Sequence, residues 1–222
     1  MPTPQSPAPV RVDIVSDVIC PWCLIGKRNL DAALAQRPDL PVEVHWRAFQ
    51  LNPDMPREGM ARADYLKAKF GDASGGGIYD RVRSVGRQAG IDFDFEAIAR
   101  TPNTVAAHRL IALAADEGRQ DAVVEGLFRA YFTQGRDIGD MDELAAVAAA
   151  AGLSAPTIAR LATTDDYEAE VLAEDVIARQ TGVSGVPCFI FDRAFAVSGA
   201  HPPETLVAAI ERSLQARAAA AE

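Results

Sequence analysis

The stretch VDIVSDVICPWCLIGKRNLDAAL, residues 12–34, holds two of the chain's three cysteines, Cys20 and Cys23, separated by Pro21 and Trp22. Leading into it, VRVDIV (10–15) alternates and is rich in β-branched side chains, the pattern of a strand. From residue 20 to 36, Cys23, Gly26, Leu30, Ala33 and Leu34 recur at helical spacing, with Pro21 where the first helical residue would stand. Pro38 and Pro41 break that helix, and VEVHWRAF (42–49) alternates as a second strand. A strand, a helix and a strand of these lengths predict a βαβ crossover and a parallel pair.

Working outward, residues 61–181 show no convincing strand. Helical periodicity predicts segments near 61–70, 78–89, 103–118, 121–134, 140–151, 155–162 and 167–181. The breaks between them fall at Gly75-Gly76-Gly77, Gly90, Pro102, Gly118, Gly135, Gly152 and Pro156. The SGGG tract (74–77) reads as a loop and not as a phosphate cradle, because no strand precedes it and no Lys-Ser/Thr follows. After Gly182 the pattern returns to strands, CFIF (188–191) and FAVS (195–198), turning at Asp192-Arg193. Pro202-Pro203-Glu204 then opens a last helix with Leu206, Ala209, Ile210 and Leu214 on one face. The order βαβ, helical block, ββα predicts one four-stranded sheet flanked by helices, with the block inserted into it. The expected division is a disordered lead over 1–9, a discontinuous α/β body over 10–60 and 182–217, and an inserted helical region over 61–181.

Composition bounds the function. The 222 residues are long enough for one well-buried core. A net charge of −9 argues against nucleic acid, whose phosphates call for a basic footprint. No window approaches the ~18 apolar residues of a membrane span. MPTPQSPAPV (1–10) has neither a basic nor an apolar region of a signal peptide, so the default compartment is the cytoplasm.

A Cys-x-x-Cys pair can be half of a zinc site, a structural disulfide or a redox dithiol. Zinc needs two further ligands, and Cys188, His45, His108 and His201 form no second close-spaced pair, so no metal is expected. A reducing compartment weakens the structural disulfide. For the dithiol, a helix starting here puts Cys20 at the N-cap, exposed and facing unpaired backbone N–H groups and the positive end of the helix dipole. Thiols so placed in Cys-x-x-Cys motifs have pKa values of ~3.5–7.5. Cys23 lies one turn deeper, which makes Cys20 the attacking sulfur and Cys23 the resolving one. Trp22 offers an exposed apolar face to a polypeptide. From the tetrapeptide alone the choice stays open.

Far downstream, GVSGVPCFIF (182–191) sets Val186-Pro187 directly before a strand. Read locally, Pro187 is an ordinary trans loop proline; a cis bond there would free the Val186 backbone to pair with an extended substrate.

Five stretches together carry a resemblance: SDVICPWCLIGKRNL (16–30), WRAFQLNPDMPREG (46–59), TPNTVAAHRLI (101–111), SGVPCFIF (184–191) and AVSGAHPPETL (196–206). With them the chain resembles the thioredoxin fold in its DsbA-like form, and most of all the FrnE-like branch of DsbA-family dithiol oxidoreductases. The resemblance implies an α/β fold, βαβ…ββα with a four-stranded mixed sheet and a large all-helical insertion. It implies that Cys20 and Cys23 are the redox pair and that Pro187 is a cis-proline, with Pro21, Trp22, Val186 and Pro187 contacting substrate. Pro-Trp between the cysteines differs from the Pro-His of strongly oxidising DsbA and implies a more reducing poise. No cysteine follows Cys188, so the auxiliary pair of some FrnE-like proteins is absent.

Three further residues are candidate auxiliaries. Cys188 follows Pro187, which places it near the dithiol as a third thiol; the plainer reading is a small core residue. Asn103 and His108 fall on the helix such proteins fold over the active site. His108 shares a face with Thr104, Ile111, Ala112 and Ala115, which favours a buried structural role. The leading function is therefore a thiol–disulfide oxidoreductase or isomerase acting on polypeptide or small-molecule disulfides, without metal or bound cofactor. Glutathione is a candidate co-substrate, and a second copy of the chain a candidate partner. A glutathione-dependent isomerase or transferase of aromatic compounds shares the fold, but carries serine where this chain has Cys20. A polypeptide-binding module with the dithiol as a switch is the non-enzymatic reading.

Overall fold

The computed structural model describes residues 8–71 and 77–220. In chain order these form β1 (Val10–Ser16), α1 (Pro21–Gln36), β2 (Val42–Ala48), β3 (Met60–Ala61), α2 (Arg62–Phe70), α3 (Gly77–Gln88), β4 (Arg100–Thr101), α4 (Val105–Ala115) and α5 (Gln120–Gln134). There follow α6 (Met141–Ala150), α7 (Ala155–Thr163), α8 (Glu168–Gln180), β5 (Cys188–Phe191), β6 (Phe195–Ser198) and α9 (Pro203–Ala220). The main sheet runs β2-β1-β5-β6, with β1 and β2 parallel and the other pairs antiparallel. It is a mixed four-stranded sheet carrying a helical insertion, as the sequence pattern implies.

Helix α1 begins where proline is best tolerated, with Pro21 in its first turn and Cys20 extended at the N-cap. Its inner face buries Cys23, Leu24, Leu30 and Ala33. Lys27 is buried on the same helix, and its ammonium meets Asp31, Asp121 and Glu125. Burial pulls its pKa down, but Asp121 and Asp31 outweigh that and leave it raised, so the charge is retained. With Arg28 bound to both oxygens of Glu125, it ties α1 to α5.

Even-numbered residues of β1 face α1 and α9, and odd-numbered ones face the opposite side. Val12, Ile14 and Phe189 accordingly join the main core, which runs without a break into Leu110, Phe128 and Tyr131 of the helical region. Val15, Phe49, Ala178 and Cys188 form a separate, smaller cluster on the other side of the sheet. That side also carries a charge chain: Asp13 takes hydrogen bonds from Arg11 and Arg47, and Arg47 reaches Glu174.

The β5–β6 turn is held by Asp192, which together with Arg193 adopts positive φ (51° and 57°). Its carboxylate accepts from the Arg11 N–H at 3.0 Å, from Arg217 Nε at 2.8 Å and from the Ser213 hydroxyl. Burial pushes its pKa up, but those donors, Arg217 first, bring it below the usual range.

Three expectations need correction. The middle region does contain strand: β3 and β4 pair antiparallel, Met60 with Thr101, and clip together the two ends of the α2–α3 excursion. Two-residue strands carry no periodicity to read. Ala8 and Pro9, within the expected disordered lead, are held by Arg217, whose guanidinium donates to both carbonyls; the rest of that lead (1–7) lies outside the described residues. Of the SGGG tract, 74–76 likewise lies outside them, and Gly77 opens α3.

Two substitutions test this framework. Asp192→Ala leaves the Arg11 N–H and Ser213 hydroxyl without their acceptor, and urea unfolding should show a loss of about 1–3 kcal/mol at neutral pH. Because the folded pKa is depressed, the carboxylate's contribution is present above its unfolded value and disappears as pH falls through the folded one. The difference from wild type should therefore shrink in acid. At Gly26 an added Cβ would lie 2.9 Å from Pro187 Cγ and 3.1 Å from Phe189 Cζ. Gly26→Ala should cost about 1–3 kcal/mol by overpacking, read by the same denaturation.

Candidate active site

The N-terminus of α1 and the loop entering β5 meet at the edge of the main core. At Cys20 the backbone is extended (φ −92°, ψ 114°), its N–H donates to the Asp17 carbonyl, and its carbonyl accepts from the Cys23 N–H at 3.0 Å. The thiol does not cap the helix with a hydrogen bond. It turns instead toward the other chain segment and donates to the Val186 carbonyl at 3.6 Å, bridging 166 residues of sequence. The Val186–Pro187 peptide is cis. Pro187 is buried against α1 over Gly26, whose missing side chain admits the ring. The Val186 N–H has no hydrogen-bond partner among the described residues, so an extended chain laid alongside finds a free donor next to Cys20.

The two sulfurs differ in environment, but not as a simple contrast of exposed against buried. Cys20 is only 4% exposed and Cys23 1%. The expectation of an exposed Cys20 is thus corrected: the side chain is buried, with its thiol against the Val186 carbonyl. Trp22 likewise packs partly on the core and does not stand free. Pro21 is half-buried beside it. Burial pushes the Cys23 thiol well above the usual thiol range, and a hydrogen bond and charge shared with Cys20 push it further. The Ser16 hydroxyl and the Asp17 N–H oppose this without overcoming it. Cys23 therefore holds its proton and Cys20 sits beside it at the mouth, an arrangement suited to attack by Cys20 and later resolution by Cys23.

Cys188 is not with them. It pairs with Val15 across the ladder and points to the opposite face from Phe189 and Pro187, so the sheet separates its sulfur from the dithiol. There it accepts from the Ser198 hydroxyl at 3.6 Å and lines a groove of about 670 Å³ with Asp13, Glu174 and Ile177. A third thiol near the dithiol is thereby replaced by a small core residue of the back face. Asn103 is not on the helix either. It precedes the Thr104 N-cap, its side-chain oxygen accepts from the Val105 N–H at 3.0 Å, and its amide donates to the Met55 carbonyl at 2.7 Å. It fastens the segment after β2 to the start of α4.

His108 is on α4 and 3% exposed, with Nε2 3.1 Å from the Phe49 carbonyl and 3.6 Å from Asp17 Oδ1. Asp17 itself is fully buried; Oδ2 accepts from the Leu51 N–H at 2.7 Å and Oδ1 from the Ile19 N–H at 3.4 Å. Sequence reading passed over Ser16, Asp17 and Lys27. The signal available was two polar residues closing a hydrophobic strand, directly before the dithiol. Among the described residues, no group of three His, Cys, Asp or Glu side chains is arranged to hold a metal, and no helix is long and apolar enough to cross a membrane.

Comparison with known proteins bears on the fold and the family. A probable DsbA oxidoreductase from Streptomyces coelicolor superposes with a TM-score of 0.81 at 33% identity, over 93% of this chain and 90% of that one. The cytosolic disulfide reductase DsbM from Pseudomonas aeruginosa, solved with GSH, gives 0.66 at 18% identity over 92% and 99%. A 2-hydroxychromene-2-carboxylate isomerase gives 0.66 at 18% over 94% and 98%. These last two likenesses are of fold alone. Residues 11–211 match the family described as the DSBA-like thioredoxin domain, nearly the whole chain from β1 to α9. With its βαβ…ββα sheet, its helical insertion and the meeting of α1 with the loop before β5, the chain belongs to the DSBA-like thioredoxin domain family.

Proposed function

We infer that the protein is a thiol–disulfide oxidoreductase or isomerase that works through Cys20 and Cys23, on the FrnE-like side of the DsbA family. The observation that carries this is the Cys20 thiol set against the Val186 carbonyl at 3.6 Å, with a protonated Cys23 behind it. A substrate disulfide reaching Cys20 runs alongside Val186, whose free N–H aligns it. Cys20 thiolate attacks one substrate sulfur and a mixed disulfide forms; the other sulfur departs with the electron pair. Cys23 then attacks Cys20 Sγ, closes the Cys20–Cys23 bond and releases the second substrate thiolate. Both electrons travel in sulfur–sulfur bonds, so no metal or organic cofactor is needed.

The narrow mouth, with Cys20 4% exposed, favours extended peptides and small disulfides over folded surfaces. Glutathione is the small thiol we propose as co-substrate, on the support of the fold shared with the GSH-bound Pseudomonas reductase. A cytosolic setting like that reductase's completes the proposal. The glutathione-dependent isomerase reading rests on fold likeness, and Cys20 stands against it, because a thiol placed to form a mixed disulfide is not needed for isomerising an aromatic substrate.

Cys20→Ser should abolish insulin reduction and scrambled-ribonuclease isomerisation. Cys23→Ser should instead accumulate a mixed disulfide at Cys20, seen by mass spectrometry as protein plus one substrate thiol. Undiminished turnover in Cys20→Ser, or an adduct on Cys188, would refute the assignment.

A further inference from the structure

Gln50, just past β2, is only 4% exposed. Its backbone is fully engaged: the N–H donates to Asp175 Oδ1 at 2.8 Å, and the carbonyl accepts from Arg179. Its carboxamide, with two N–H donors and an acceptor oxygen, has no hydrogen-bond partner among the described residues. A buried amide left so is unusual and points to a missing partner. The side chain lines a pocket of about 410 Å³ between the segment after β2 and the starts of α4, α6 and α8. That volume falls in the ~300–1,000 Å³ range of small-molecule sites. Cys20, Trp22, Val186 and Pro187 take no part in its wall.

Two further features of this pocket call for an anion. Arg109, on α4 and 7% exposed, donates Nε and Nη2 to the carbonyls of Asp166 and Thr164. It has no carboxylate partner among the described residues, and the Asp166 carboxylate is taken by Arg160 at 2.8 Å. A guanidinium buried to that extent is ordinarily paired with a negative group. At the start of α4 the Asn103 side chain takes the Val105 N–H, but the Ala106 N–H has no acceptor among the described residues. The first turn of α4 holds no acidic residue, so its positive end is left unanswered and faces the pocket at Ala106. The other two helices answer their own starts, α6 with Asp140 at its N-cap and α8 with Glu168 and Glu170 in its first turn. Arg57, Arg109 and Glu168 are the charged side chains at the pocket, and Arg57 and Glu168 pair at 2.8 Å. Arg109 therefore leaves an excess of one positive charge, which suits a monoanion. Met141 and Leu172, both exposed, give the wall an apolar side.

We propose that this pocket binds a small organic monocarboxylate, its carboxylate held by Gln50 Nε2, the Ala106 N–H and Arg109, and its apolar body laid against Met141 and Leu172. The site is separate from the dithiol and does not depend on the thiol chemistry inferred above. Gln50 and Ala106 supply neutral donors of fixed position, and Arg109 supplies the counter-charge that its own surroundings lack. A dianion such as phosphate is disfavoured, because Glu168 stands on the same wall and no second uncommitted cation does. A bound carboxylate would join the segment after β2 to the start of α4, two elements that Asn103 already fastens through the Met55 carbonyl.

The test titrates phenylacetate into the full, reduced chain, read by calorimetry and by the amide signals of Ala106 and the Gln50 side chain in isotope-labelled protein. Saturable one-to-one binding is expected, with both amide signals shifting along the same curve. Phenethyl alcohol, which keeps the ring and loses the charge, should bind at least about tenfold more weakly, and inorganic phosphate likewise. Gln50→Leu removes no side-chain hydrogen bond that the fold makes, and should weaken phenylacetate on the order of tenfold, the scale of one hydrogen bond to a charged group. Gln50→Glu sets a like charge against the ligand and should abolish binding. Should either variant fail to fold, the comparison of acid with alcohol on the unaltered chain carries the test. No saturable binding, equal affinity for acid and alcohol, or a Gln50→Leu affinity within twofold of the parent would overturn the site. Phosphate binding more tightly than phenylacetate would overturn the monocarboxylate assignment.

Discussion

The site depends on one close approach, that of helix α1 to the loop entering β5. Gly26 permits it: no side chain larger than hydrogen fits between the helix and Pro187 without something moving. Because α1 can sit that near, the Cys20 thiol comes within reach of the Val186 carbonyl. The same approach buries Cys23 a turn further in. The difference between the two sulfurs thus follows from packing, not from any difference in the cysteines themselves.

The rest of the molecule holds that approach in place. Lys27 and Arg28 fasten α1 to α5 through Asp121 and Glu125, so the helix cannot slide along the sheet without stranding a buried ammonium. Asp192 fastens the β5–β6 turn to β1 and to α9, fixing the strand that Pro187 precedes. On the opposite face the chain Arg11–Asp13–Arg47–Glu174 locks β1, β2 and α8 together. Around the sulfurs of Cys20 and Cys23 lie the Val186 carbonyl and, nearby, one buried Asp17–His108 contact.

Much of this was legible in the sequence, for physical reasons. The strands and helices that build the main sheet are long enough for alternation or helical spacing to stand out, and Pro21 marks the start of α1. The β3–β4 clip is too short to show a period. The helical pattern of α4 runs back to Asn103 and predicts helix there, whereas its side chain accepts from the N–H two residues on and keeps it outside. The burial of Cys20 depends on Val186, 166 residues away, and no local pattern encodes that distance. The facing of Cys188 was available: if Pro187 and Phe189 meet α1, strand alternation turns the residue between them away. Ser16 and Asp17 carry no motif, and only the fold shows that Asp17 lies 3.6 Å from His108.

Where α1 approaches Pro187, the Cys20 thiol lies against the Val186 carbonyl, and Cys23 lies a turn deeper with its pKa raised by burial. The most direct measurement is alkylation of the reduced native protein with iodoacetamide over time, mapped by peptide mass spectrometry. Cys20 should be modified first and alone, with Cys23 and Cys188 labelled only after unfolding. Labelling of Cys23 or Cys188 ahead of Cys20 would contradict it.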